Sequence, residues 1–312
     1  MTLRNLGRSG LKVSLVGLGC NNFGRRVDGE TARRVVHKAL DLGITLFDTS
    51  DSYGNRGGSE TILGEVLGPR RKDIVLATKF SSPMDDESRL KGASRRYILS
   101  AVEASLRRLR TDWIDLYQQH WVDPETPIEE TLRALDDLVR QGKVRYIGSS
   151  NFAAWQVVEA HWTAKDLRIH QFVSCQNEYS LLVRDAEREL LPAMRAYGLG
   201  LLPYFPLASG LLTGKYKRSE APAGDTRFAA WPELGKRYQT EDNWRKVAQL
   251  ETFAKERGHT LVELAFSWLA AQPPVSSVIA GATRPEQVEQ NARSAGWSLD
   301  AEELAEISRL TA

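Results

Sequence analysis

Apolar positions fall into two alternating rhythms along the chain. Short continuous runs occur at 13–18, 44–47, 74–78, 113–117, 144–147, 172–174, 199–202 and 275–279. Each has the length and unbroken apolar character of a strand buried on both faces. Between and beyond them lie segments with helical spacing, at 30–42, 59–67, 95–110, 128–141, 155–164, 187–197, 244–257, 261–271, 285–294 and 300–310. In the first of these Val35, Val36, Ala39 and Leu40 share a face. In the second Ser59 is the expected N-cap, with Ile62, Leu63 and Val66 turned inward. Gly142 stands where a glycine ends a helix. Ahead of the alternation, 3–6 and 11–13 flank the turn Gly7-Arg8-Ser9-Gly10 and predict a β-hairpin.

Successive runs start about thirty residues apart through the seventh, the size of one βα unit. The seventh and eighth start 76 residues apart. An extended, mostly irregular insertion with helices therefore follows strand seven. Eight βα units predict an α/β fold of the closed (β/α)8 TIM-barrel type rather than a doubly wound sheet. No linker or low-complexity run divides 1–312, so a single barrel domain is expected.

Charge excludes several classes of partner. The 42 Lys and Arg against 40 Asp and Glu leave a net charge of +2, so neither nucleic acid nor a membrane surface is expected to bind. Two long uncharged stretches, 196–214 and 264–283, are broken by proline and glycine and read as barrel strands with their loops, not as membrane spans. Cys20 and Cys175 make no disulfide framework. The N-terminus has no signal-peptide core, so a cytoplasmic location is expected. No sequence feature sets an oligomeric state.

Active sites of such barrels lie at the C-terminal ends of the strands. The residues there are Gly19, Cys20 and Asn21, then Asp48 and Tyr53, Lys79, His120, Ser149 to Asn151, Gln176 and Asn177, Tyr204, and Gly281 to Arg284. Taken singly, each has a structural reading as a cap, a packed ring or a snorkelling amine. Together at one rim they suggest acid–base chemistry. A phenol titrates near 10, and a neighbouring ammonium favours its phenolate. Lys79 supplies that ammonium to Tyr53, Asp48 holds Lys79, and His120 orients a carbonyl oxygen. The set suits proton exchange with a carbonyl or alcohol and contains no activated nucleophile. The five histidines lack metal-ligand spacing, GLGCNNFG (17–24) lacks the third glycine of a dinucleotide fingerprint, and GLLTGK (210–215) falls short of a P-loop.

The motifs FDTSDSYG (47–54), ATKF (77–80), QQHW (118–121), GSSN (148–151), QNEYSLL (176–182), PYFPLASGLLTGKY (203–216) and IAGATRPEQVEQN (279–291) resemble, in order, those of the aldo-keto reductase family. They look most like its bacterial branch related to potassium-channel β-subunits. The resemblance implies NADPH-dependent reduction of a small-molecule aldehyde or ketone, with NADH the less favoured cofactor. It implies Tyr53 as proton donor, Asp48 and Lys79 as its tuning pair and His120 as the orienting residue. Asn21 and Asp48 would contact the cofactor, and Ser150, Asn151 and Gln176 would hold the nicotinamide carboxamide while Tyr204 stacks on the ring. Leu207, Ser209, Lys215 and Arg227 would line the pyrophosphate. Gly281, Thr283, Arg284, Gln287, Gln290 and Asn291 would bind the adenosine end. Gln290 stands where the family more often has a glutamate. Phe23, Phe80 and Trp121, with Trp231 further out, are expected to wall the substrate pocket beside Tyr53 and His120. Two other classes compete: a cofactor-binding redox sensor or regulatory subunit with little turnover, and a cofactor-free barrel lyase or isomerase.

Overall fold

Strands form where the apolar runs predict them. The computed structural model describes residues 1–218, 224 and 226–312. Strands β1 (Leu3–Asn5) and β2 (Lys12–Ser14) make the antiparallel hairpin. Then come β3 (Val16–Gly19), β4 (Leu46–Asp48), β5 (Val75–Phe80), β6 (Ile114–Gln119), β7 (Val144–Ser150), β8 (Phe172–Gln176), β9 (Gly200–Leu201) and β10 (Val278–Gly281). Val13, placed by its pattern in the first barrel strand, belongs to the hairpin.

The strands from β3 to β8 are followed in turn by α1 (Gly29–Asp41), α2 (Tyr53–Leu67), α3 (Arg95–Leu109), α4 (Ile128–Arg140), α5 (Ala154–Leu167) and α6 (Leu190–Tyr197). After β9 come α7 (Arg227–Ala230), α8 (Pro232–Tyr238), α9 (Glu241–Glu256) and α10 (Leu261–Ala271). After β10 come α11 (Pro285–Arg293) and α12 (Ala301–Leu310). The stretch after β9 that reads as irregular thus holds two short helices. Pro232, at the first position of α8, was a usable start signal.

The eight barrel strands are parallel, in the order β10-β3-β4-β5-β6-β7-β8-β9. Three backbone bonds join the two ends: Leu201 N–H to the Pro274 oxygen (2.6 Å), Ser276 N–H to the Leu201 oxygen (2.9 Å) and Ile279 N–H to the Pro203 oxygen (3.1 Å). The sheet therefore closes into the expected (β/α)8 barrel. Among the described residues, no helix is long and apolar enough to cross a membrane. Of the uncharged stretch 264–283, the part through Ala271 is helix α10, as the spacing at 261–271 predicts, and not strand or loop.

Strand alternation divides the core in two. Leu46, Val75, Ala77, Leu116 and Leu202 meet the hairpin residues Leu6 and Val13 inside the barrel. Phe47, Leu76, Phe80 and Tyr117 meet the helices outside it. The hairpin thus fills the N-terminal mouth of the barrel with apolar side chains. At the other mouth the same alternation turns polar groups inward. On β4, Asp48 follows Leu46 by two; on β5, Lys79 follows Ala77 by two; on β6, Gln118 follows Leu116 by two, and His120, one residue past the strand's end, keeps the same phase.

Candidate active site

These inward positions meet at the C-terminal mouth. Lys79, with no exposed surface, donates to Asp48 Oδ2 at 2.7 Å, to the Thr49 carbonyl at 2.8 Å and to the Tyr53 hydroxyl at 3.5 Å. All three ammonium protons are thereby used. The other oxygen of Asp48 accepts from the amides of Gln176 (2.9 Å) and Gln118 (3.3 Å). A buried ion pair fully satisfied in this way keeps its geometry; removal of either partner would leave an uncompensated charge.

Tyr53 reaches the lysine because the chain bends sharply after it. Gly54 to Gly57 have positive φ inside the nominal span of α2. A side chain at Gly54 would place its Cβ 2.5 Å from the Phe23 oxygen and the Ser59 nitrogen, so glycine is required there. Ser59 does not cap the helix. Its hydroxyl donates to the Cys20 oxygen and pairs with Thr49, tying α2 to the ends of β3 and β4. The His120 ring stands edge-on to Tyr53 at 5.7 Å and stacks on Trp121 at 5.6 Å.

Electrostatics differ from the expectation in one respect. Burial raises the Tyr53 phenol above its ordinary value, and the opposing pull of Lys79 does not cancel it. The phenol is therefore protonated near neutrality. Burial lowers the Lys79 ammonium, but Asp48 and Tyr53 outweigh it and the net shift is upward. Burial, with Lys79 adding to it, holds His120 well below its usual range, so its imidazole is neutral.

A cleft of about 750 Å³ opens over this group. Asp48, Tyr53 and His120 line it, with Lys79 beneath them. Every residue expected at a cofactor also lines it, from Asn21 to Asn291. Within it Asn151 donates to the His120 carbonyl and to Ser150 Oγ, and accepts from the Tyr204 hydroxyl at 2.9 Å. Ser150 in turn donates to the Gln176 carbonyl. Helix α11 starts at Pro285 with Arg284 as its N-cap residue. The N–H and hydroxyl of Thr283 both bond Gln287 Oε1.

Two substrate-wall expectations fail. Phe80 is fully buried against Tyr117 at 4.8 Å, because it alternates with Lys79 on β5 and must face outward. Phe23 is fully buried under its own loop, which turns back where Gly24 N–H meets the Val27 oxygen. Trp121 does line the cleft and is 51 % exposed. Trp231 instead carries the guanidinium groups of Arg25, Arg26 and Arg227, at 4.9, 5.5 and 5.4 Å. Sequence reasoning missed Asn22, Arg26 and Glu178 in the lining. Glu178 accepts from Arg237 at 2.6 Å and from the Tyr238 hydroxyl, fastening α8 to the barrel rim. No local pattern announces that pairing.

Residues 15–312 match the model of the aldo/keto reductase family. The chain belongs to that family. It is an oxidoreductase. Over 312 residues it is 42 % identical to the uncharacterized oxidoreductase YrpG of Bacillus subtilis (strain 168), covering 96 % of this chain and 92 % of that protein. A probable voltage-gated potassium channel subunit beta of Arabidopsis thaliana is 40 % identical over 94 % of this chain and 91 % of its own length. A putative subunit of the same kind from Schizosaccharomyces pombe is 36 % identical, over 93 % and 87 %. The motif resemblance and the barrel expectation both hold.

Proposed function

We propose that this aldo/keto reductase uses NADPH to reduce an aldehyde or ketone, with Tyr53 as the proton donor. The observation that carries the reading is the satisfied Asp48–Lys79–Tyr53 chain opening into a cleft lined by cations. Arg26, Lys215, Arg227, Arg237 and Arg284 line that cleft. Its carboxylates, Asp48 and Glu178, are already paired with Lys79 and Arg237. A cleft lined by this many cations suits phosphates. Asn22 Oδ1 is buried there without a hydrogen-bond partner among the described residues, an acceptor still open to a ligand.

A bound nicotinamide would supply a hydride to the carbonyl carbon. Ser150, Asn151 and Gln176 would hold its carboxamide, with Tyr204 beside them; Leu207, Ser209, Lys215 and Arg227 would hold the pyrophosphate, and Gly281, Thr283, Arg284, Gln287, Gln290 and Asn291 the adenosine end. Neutral His120 directs a hydrogen bond at the carbonyl oxygen. Tyr53 gives that oxygen its proton, and the Lys79 ammonium stabilises the phenolate left behind. Trp121, an exposed aromatic wall beside His120, favours apolar or aromatic carbonyl compounds.

The names of the plant and yeast relatives raise a second reading, a cofactor-binding regulatory subunit. The complete set of Asp48, Tyr53, Lys79 and His120 supports turnover instead. A spectrophotometric screen of NADPH oxidation against aldehydes, ketones, sugars and quinones separates the two. Carbonyl-dependent oxidation is expected; tight NADPH binding with no oxidation on any substrate would favour the regulatory reading.

A further inference from the structure

The segment that carries Tyr53 holds a second acid, Asp51, with no role in the reaction above. Asp51 is 1 % exposed. Its Oδ1 lies 3.1 Å from the Ser50 hydroxyl oxygen. Ser50 Oγ also lies 3.0 Å from Ser52 Oγ, accepts from the Ser52 N–H and stands 3.2 Å from His120 Nδ1. Ser82 Oγ is 3.2 Å from the same nitrogen.

A neutral imidazole has one N–H. Nδ1 faces the serines, so Nε2 is the nitrogen left for the cleft. Nε2 can donate to a carbonyl only if Nδ1 accepts a hydroxyl proton. Ser50 has a single proton to give. An ionised Asp51 takes it. A protonated Asp51 donates to Ser50 Oγ and frees the Ser50 proton for His120 Nδ1.

We infer that Asp51, as the neutral acid, is a positioning residue that acts through Ser50 to hold His120 in its Nε2–H tautomer. Ionisation of Asp51 turns the Ser50 proton away from His120. Ser82 is a parallel donor, so the dependence on Asp51 is partial in the wild type and complete when Ser82 is removed. The tautomer inference stands on this geometry alone; only its consequence for turnover rests on His120 as the donor to the carbonyl.

The surroundings support a neutral Asp51. Burial, with Glu60 of α2 adding to it, pushes its carboxyl up to about 8, against Ser50 and Arg108 of α3. Arg108 is largely engaged, since its Nε is 2.7 Å from Glu60. Tyr97 of α3 and Tyr117 of β6 also act electrostatically with Asp51; burial holds both above the ordinary phenol value. Neither those phenols, nor Tyr53, nor His120 titrates where Asp51 does.

The test reads the tautomer directly, by ¹⁵N NMR of histidine-labelled full-length protein, with His120 assigned by a His120→Asn control. In Ser82→Ala, Nδ1 should change from acceptor toward N–H as pH rises from about 6 to about 9.5. In the same window carbonyl turnover should fall roughly tenfold. Asp51→Asn added to Ser82→Ala keeps a donor to Ser50 and cannot ionise, so both changes should vanish. A pH-invariant His120 in Ser82→Ala, or an unchanged titration after Asp51→Asn, overturns the inference. The spectra need no turnover. A tautomer that shifts as expected in a protein reducing no carbonyl would sink the reaction reading and leave this one standing.

Discussion

Around Lys79 every donor and acceptor is accounted for, so single changes there have legible consequences. Lys79→Met removes the cation that opposes the upward shift of Tyr53 and leaves Asp48 buried without its partner. Turnover should collapse, and stability should fall by about 3–5 kcal/mol. Chemical denaturation and a pH–rate profile check both; wild-type stability with a wild-type pH optimum would contradict the account. Asp51 gives a second prediction at this scale. Its folded-state affinity for a proton exceeds the unfolded one, so its contribution to stability is greatest at low pH. That contribution declines from about pH 4 to about pH 8. Asp51→Asn should flatten that part of the stability curve, and an unaltered pH slope in denaturant titrations would show that Asp51 is ionised as it folds. The sequence pointed to Asp48, Tyr53, Lys79 and His120 because the proposed chemistry restricts the residue types that can perform it. It could not reveal the net rise at Tyr53, which depends on how deeply packing buries the phenol.

Elements decide where those side chains point. Period-two alternation, applied to β5, would have corrected one error beforehand: Lys79 and Phe80 are neighbours and cannot both face the mouth. Phe23 offered no such rule, because a loop has no fixed phase. Likewise the fastening of α8 through Glu178 depends on contacts between residues about sixty positions apart, which local patterns do not carry. Helix α11 was legible, since proline at its first position marks the start. Its N-terminal end suits an anion, and Arg284 adds a planar donor pair. A charge-assisted bond of that kind contributes roughly 1.5–3 kcal/mol. Arg284→Ala should therefore weaken NADPH binding about ten- to a hundredfold and leave NADH binding nearly unchanged. Titration of both cofactors checks this; equal losses would mean that Arg284 does not read the 2′-phosphate.

At the scale of the molecule, the apolar plug and the proposed site occupy opposite mouths of one barrel. The hairpin seals one end with Leu6 and Val13, and the polar rim opens at the other. Leu6→Ala should cost about 2–5 kcal/mol of stability through the cavity it leaves. Turnover measured well below the unfolding midpoint should not change. A loss of turnover without a loss of stability would show that the two ends are coupled. The barrel was the most legible feature in the sequence, because eight apolar runs, the first seven about thirty residues apart, leave few other ways to be buried. The closing bonds between 201–203 and 274–279 were not legible, since β9 is short and the chain rejoins it after a long insertion.

The claim on which the account turns is that Tyr53 supplies the proton. Single-turnover oxidation of pre-bound NADPH by a carbonyl substrate, in wild type and Tyr53→Phe side by side, tests it most directly. The ring and the cleft survive that change and only the transferable proton is lost. The account predicts unchanged NADPH affinity and a rate lower by more than about a hundredfold. A variant rate within about tenfold of wild type would remove Tyr53 from the mechanism.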